Sequence, residues 1–147
     1  MDATQVLQTV PLFRGLGRRD IDTLGKLAHE RSFNAGDVIV SEGEGGIALY
    51  AIVGGEVEVL QKSGGSQQQL RTMGAGEVFG EIALMLDRPR TATVRATKPT
   101  ECLALTSLSF REALDKSPDM ARQLLQNMAQ RLAEAEDRSG LGKVGLA

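Results

Sequence analysis

The chain has few aromatic side chains: no tryptophan, one tyrosine and four phenylalanines in 147 residues. Aromatics supply large blocks of buried apolar area, so the core has to be assembled from aliphatic residues. A single cysteine, Cys102, rules out any internal disulfide. It sits in the apolar run Cys102-Leu103-Ala104-Leu105 and reads as a small buried side chain, in keeping with a reducing, cytoplasmic setting. A single histidine, His29, leaves no cluster for a metal centre and no imidazole base beside Cys102 or the serines. The paired acids Glu42 and Glu44, and Glu56 and Glu58, alternate with glycine or valine and read as solvated surface carboxylates, so no enzyme is expected. Lysine and arginine (17) do not outnumber aspartate and glutamate (19), which argues against a nucleic-acid surface. The longest apolar runs, such as 47–53, are too short to span a bilayer, which takes about 20 residues. Asp2 and the polar residues before Pro11 do not form a secretory signal.

Glycine, by contrast, is abundant, with 17 residues, and its placement divides the chain. Residues 4–30 read as helical: Val6, Leu7 and Val10 share a face, Pro11 interrupts, and Ile21, Leu24, Leu27 and Ala28 form a second stripe. This places His29 at the end of a helix. Residues 31–105 read as β, with strands expected at 37–40, 48–53, 56–61, 68–72, 91–96 and 102–105, separated by glycine corners. Short strands at regular spacing indicate a jelly-roll or barrel. Residues 106–138 read as helical again. Ser109 and Glu112 fit a capping box, and Ser117-Pro118 restarts a second helix. Met120, Leu124, Met128 and Leu132 recur every four residues, with Ala121 and Leu125 widening the stripe. The expected organisation is one domain over 1–138 and a glycine-rich flexible tail over 139–147.

The richest stretch is Phe79-Gly80-Glu81-Ile82-Ala83-Leu84, followed after five residues by Arg90-Thr91-Ala92-Thr93-Val94. Gly80 lets backbone approach a ligand closely. Residues 81–84 can open a helical turn whose free N–H groups attract a phosphate. Arg90 adds a permanently charged planar fork suited to phosphate oxygens, and Thr91 sets a hydroxyl beside it. Glu81, acceptor-only when ionised, suits sugar hydroxyls.

This string, in residue types and spacing, resembles the phosphate-binding cassette of the cyclic nucleotide-binding domain family. That family includes kinase A regulatory subunits, catabolite-activator-type regulators and cyclic-nucleotide-gated channels. The resemblance extends over about residues 10–131. It implies a mainly β jelly-roll with N-terminal helices, a short phosphate-binding helix and C-terminal lid helices. It also implies that Arg90 binds the exocyclic phosphate oxygens and that Gly80, Ile82 and Ala83 complete the cradle. Glu81 would bind the ribose 2′-hydroxyl, and Thr91 would contact phosphate or base. Val78, with Leu125 or Met128 of the lid, would line the base, because no aromatic residue follows Phe110.

The implied function is a regulatory sensor of a purine 3′,5′-cyclic mononucleotide that signals through its last helix, with no other cofactor. Thr91 tilts toward cyclic GMP and the abundance of cyclic-AMP sensors tilts back, so cyclic AMP is favoured. The alternative is a protein-interaction domain of the same fold that no longer binds nucleotide. A metal-dependent cupin fits the jelly-roll pattern but lacks the ligands. With no recognition-helix pattern, no kinase pattern and no membrane span, the expected partner is an effector protein rather than DNA. The methionine–leucine stripe fits either packing in a monomer or a C-terminal-helix dimer.

Overall fold

Two of the most apolar runs of the chain become neighbouring strands buried on both faces. The computed structural model describes residues 2–139. Strand β3 (Ala48–Gly54) pairs antiparallel with β8 (Thr100–Thr106), from Ala48 opposite Thr106 to Ile52 opposite Cys102. Leu49, Ala51, Leu103 and Leu105 join the core formed with the helices, while Ile52 and Cys102 join the core of the roll. A strand covered on both sides has no solvent face to mark with polar residues, hence the unbroken runs. β1 (His29–Phe33) adds to the far edge of β8, and β6 (Val78–Phe79) to the far edge of β3. The second sheet runs in the order β2 (Val38–Val40), β7 (Thr93–Ala96), β4 (Glu56–Ser63), β5 (Ser66–Gly74). Every named pairing is antiparallel. Val57 and Val59 of β4 turn into the roll, packed with Met73, Phe79 and Val94. Glu58 between them pairs with Arg95 of β7. The result is the mainly β roll with flanking helices that the glycine-punctuated pattern predicts.

The helices cover one side of the first sheet. α1 (Ala3–Leu7) is held by a reciprocal cap between Asp2 and Gln5. A 3₁₀ turn at Pro11–Phe13 leads to α2 (Arg18–Leu27). α3 (Ser107–Lys116) and α4 (Pro118–Ser139) close the layer. Val6, Leu7, Leu24, Phe110 and Met120 are fully buried in it, each contributing about 1.5–3 kcal/mol by burial. Phe13 and Phe110 meet at 5.9 Å between ring centres.

Several boundaries differ from the sequence expectation. The N-terminal helices end at Leu27 rather than at residue 30, and His29 lies exposed on β1. Five backbone pairings, His29 with Ala104 through Phe33 with Thr100, outweigh the weak helical preference there. α3 is capped not by Ser109 but by Thr106, whose hydroxyl accepts from the Ser109 N–H at 3.2 Å. β8 therefore passes directly into α3. α4 starts as expected, with Ser117 Oγ accepting from the Met120 N–H at 3.2 Å. It runs through Ser139, which was expected to begin the tail; the rest of that tail, 140–147, lies outside the described residues. The apolar stripe of α4 divides: Met120 and Leu124 are buried, but Leu125, Met128 and Leu132 are 68%, 40% and 61% exposed.

Burial pushes the Cys102 thiol up to about 11 from 9.0. As pH rises through this window the unfolded chain gives up the thiol proton before the folded one does, so stability falls between about pH 9 and pH 11. Urea unfolding across that range is expected to show this decline, and Cys102→Ala to remove it; an unchanged slope in the variant would contradict the assignment.

Candidate functional site

The site is built where a strand pairing is broken off. In the β3–β6 register Tyr50 faces Phe79, so continuing it would set Leu49 opposite Gly80 and then Ala48 opposite Glu81. Gly80 instead adopts the left-handed conformation, with φ of 79°, and turns the chain away. The carbonyl of Ala48 is left open and accepts a hydrogen bond from Arg90 Nη2 at 2.7 Å. A Cβ on Gly80 would collide with Arg90 Nη1 and lie 2.6 Å from the Ala48 oxygen. The space that Gly80 leaves therefore admits the arginine itself.

After Gly80 the cassette makes one 3₁₀ turn, Glu81–Leu84. The N–H of Ala83 is used within it, donating to Gly80 O at 3.0 Å. The N–H groups of Glu81 and Ile82 have no acceptor among the described residues and form the open start of the turn. On the facing side the backbone of Arg90 is fixed to the 41–46 loop. Its N–H donates to Glu44 O at 2.8 Å, and its carbonyl accepts from the Gly43 N–H at 2.8 Å. Burial lowers the guanidinium's proton affinity below its usual value, with the nearby Tyr50 partly opposing. Among the described residues no carboxylate lies within ion-pairing distance of Arg90.

These groups line a cavity of about 510 Å³, a size typical of small-molecule sites. Seven of the nine residues expected from the sequence lie on its wall: Val78, Gly80, Glu81, Ile82, Ala83, Arg90 and Thr91. The other two, Leu125 and Met128, are on the exposed side of α4 and do not line it. The α4 residue that does is Arg131, which forms an ion pair with Glu81. The Glu81 side chain is only 14% exposed. Arg71 of β5 also lines the cavity, and its guanidinium has no hydrogen-bond or ionic partner among the described residues. With Arg88, four arginines face one carboxylate, so the cavity favours an anion. Sequence reasoning missed Arg71 and Arg131. The available signals were alternation, since Arg71 shares a face with the buried Met73, and helical period, since Arg131 lies two turns beyond the buried Leu124. Among the described residues no three His, Cys, Asp or Glu side chains converge as a metal site, and no helix is long and apolar enough to cross a membrane.

Residues 30–117 match the model of the cyclic nucleotide-binding domain. The chain belongs to that family. The family's "Cyclic AMP receptor protein" of Thermus thermophilus is 33% identical over 127 residues, covering 86% of this chain and 59% of that protein. The "cGMP-dependent protein kinase" of Eimeria tenella is 35% identical over 112 residues, covering 76% of this chain and 10% of the kinase. The chain thus spans less than two thirds of the length of these relatives. Among solved structures, the N-terminal domain of a transcriptional regulator from Streptomyces coelicolor A3(2) superposes with a TM-score of 0.85 at 32% identity, over 90% of this chain and 95% of that one.

Gly80→Ala is expected to lose about 1–2 kcal/mol of stability from the left-handed backbone alone, and more from the collision with Arg90. Urea denaturation measures it; stability equal to wild type would contradict the described turn.

Proposed function

We propose that the chain is a sensor domain that binds a purine 3′,5′-cyclic mononucleotide and relays occupancy through α4. The observation that carries this reading is Arg90, a partly buried cation on the cavity wall with no carboxylate within ion-pairing distance among the described residues. A cyclic phosphate would supply the missing charge, taking the fork of Arg90 on one side and the open Glu81 and Ile82 amides on the other. Glu81 would accept from the ribose 2′-hydroxyl. To do so it must share or release Arg131, which makes α4 sense the ligand. The domain acts by binding and not by catalysis, in the cytoplasm, on an effector protein rather than on nucleic acid. The exposed Leu125, Met128 and Leu132 favour pairing of α4 with a second copy over a free monomer.

Between the two bases, Arg71 adds an argument for guanine. With phosphate at Arg90, the purine extends toward the β4–β5 wall, where Val59 and Arg71 stand. Arginine has donors only. Guanine offers it two acceptors, O6 and N7, where adenine pairs one acceptor with an amino donor. Thr91, whose hydroxyl has no partner among the described residues, points to the same base. A protein-interaction domain that has lost nucleotide binding is a poorer reading, because Arg90 has no carboxylate within ion-pairing distance among the described residues.

Calorimetric titration of nucleotide-free protein with cyclic GMP and cyclic AMP is expected to give micromolar or tighter binding. Arg90→Ala forfeits about two charge-assisted hydrogen bonds of about 1.5–3 kcal/mol each, so affinity should fall at least a hundredfold, with Arg90→Lys between. Equal affinity in Arg90→Ala would sink the phosphate assignment. Arg71→Ala should weaken cyclic GMP about tenfold, one good bidentate contact being about 1–3 kcal/mol, and leave cyclic AMP nearly unchanged. A preference for cyclic AMP that survives this substitution would assign the site to adenine.

A further inference from the structure

We propose that Gly46 is a positioning residue for the phosphate-binding arginine: its missing side chain forms the notch in which the Arg90 guanidinium rests. The inference rests on the cyclic-nucleotide reading of the cavity for its functional consequence, but not for its geometry. Gly46 is buried, unlike the three glycine or acid positions just before it in the same loop. A Cβ built there would lie 2.9 Å from Ala83 Cβ, 3.1 Å from Arg90 Nε and 3.2 Å from Arg90 Cζ. All of these atoms belong to the anion site. Gly46 does not have a positive φ, in contrast to Gly43 of the same loop at 85°. The backbone lies outside the left-handed region that favours glycine, so what a side chain would meet here is the approach of Arg90 and Ala83. Gly80 closes the other side of the arginine, but there the left-handed backbone would itself be strained by a substitution. Gly46 is therefore the position at which the arginine can be displaced without straining the main chain.

The physical consequence follows from the hydrogen bond to Ala48. The guanidinium is anchored through Nη2 to that carbonyl at 2.7 Å, which leaves its other donors for the cavity. A methyl group at position 46 presses on Nε and Cζ, the atoms that set the plane of the fork. A planar donor that meets phosphate through two bonds loses both when its plane tilts.

The test has a nucleotide-free arm and a binding arm. In the free protein, the Nε–Hε resonance of Arg90, assigned by its loss in Arg90→Lys, should move in Gly46→Ala while the melting temperature changes little. In wild type and Gly46→Ala, cyclic GMP affinity should differ by tenfold or more. In the Arg90→Lys background, where no guanidinium fills the notch, adding Gly46→Ala should change affinity less than twofold. Gly46→Ala combined with Ala83→Gly removes the contact between the two Cβ atoms and should keep the loss seen in Gly46→Ala. An unmoved Arg90 resonance overturns the proposal whether or not nucleotide binds. So does an undiminished penalty in the Arg90→Lys background, or full recovery in the Ala83→Gly combination. If wild type binds neither nucleotide, the functional reading fails on its own, and the resonance still decides whether Gly46 positions Arg90.

Discussion

Arg90 donates to the main-chain oxygen of Ala48, and most of what surrounds the cavity is arranged around that bond. A carboxylate partner would have neutralised the guanidinium and left a closed, charge-balanced site. A carbonyl satisfies part of its hydrogen-bonding need and none of its charge. For the carbonyl to be free, β3 and β6 must stop pairing after Tyr50 and Phe79, which Gly80 brings about by its left-handed turn. For the guanidinium to reach it, the loop at Gly46 must have no side chain. For Arg90 to stay there, its own N–H and carbonyl are tied to Glu44 and Gly43. The cost of burying a cation is thus spread over backbone contacts, and the charge remains available to a ligand.

The rest of the fold holds this arrangement in place. The central strands are packed on both sides, by the interior of the roll and by the helical layer. Leu84, at the end of the cassette turn, belongs to the same cluster as Leu124 of α4. The cassette and the last helix thus share one apolar core, and the Glu81–Arg131 ion pair links them directly. Under the proposed reading, a ligand that draws on Glu81 would bear on that ion pair.

What was legible in the sequence was local. The cassette is a continuous string, so its residue types and spacing survive without knowledge of the fold. β3 and β8 announce themselves by apolar runs. What was not legible depended on distant pairing. His29-Glu30-Arg31-Ser32-Phe33 has no strand pattern and is a strand only because β8 offers an edge. Arg131 reaches Glu81 across 50 positions of sequence, and Arg71 reaches the cavity only once β5 lies against β4. Leu125 and Met128 show the converse problem. Their periodicity correctly marks an apolar face on α4, but periodicity cannot say which half of that face the domain covers. Thr106 and Ser109 both carry capping chemistry, and the choice fell to the residue that β8 delivers to the helix start.

Whether the uncompensated arginine and the open cassette turn take a cyclic phosphate is read from backbone amides and arginine side chains in a ¹⁵N spectrum while cyclic GMP is added. The Glu81 and Ile82 amides and the Arg90 side chain should shift together, saturating at one equivalent, with residues around Arg131 shifting over the same titration. Shifts confined to other surfaces, or none at the cassette at saturating nucleotide, would contradict it.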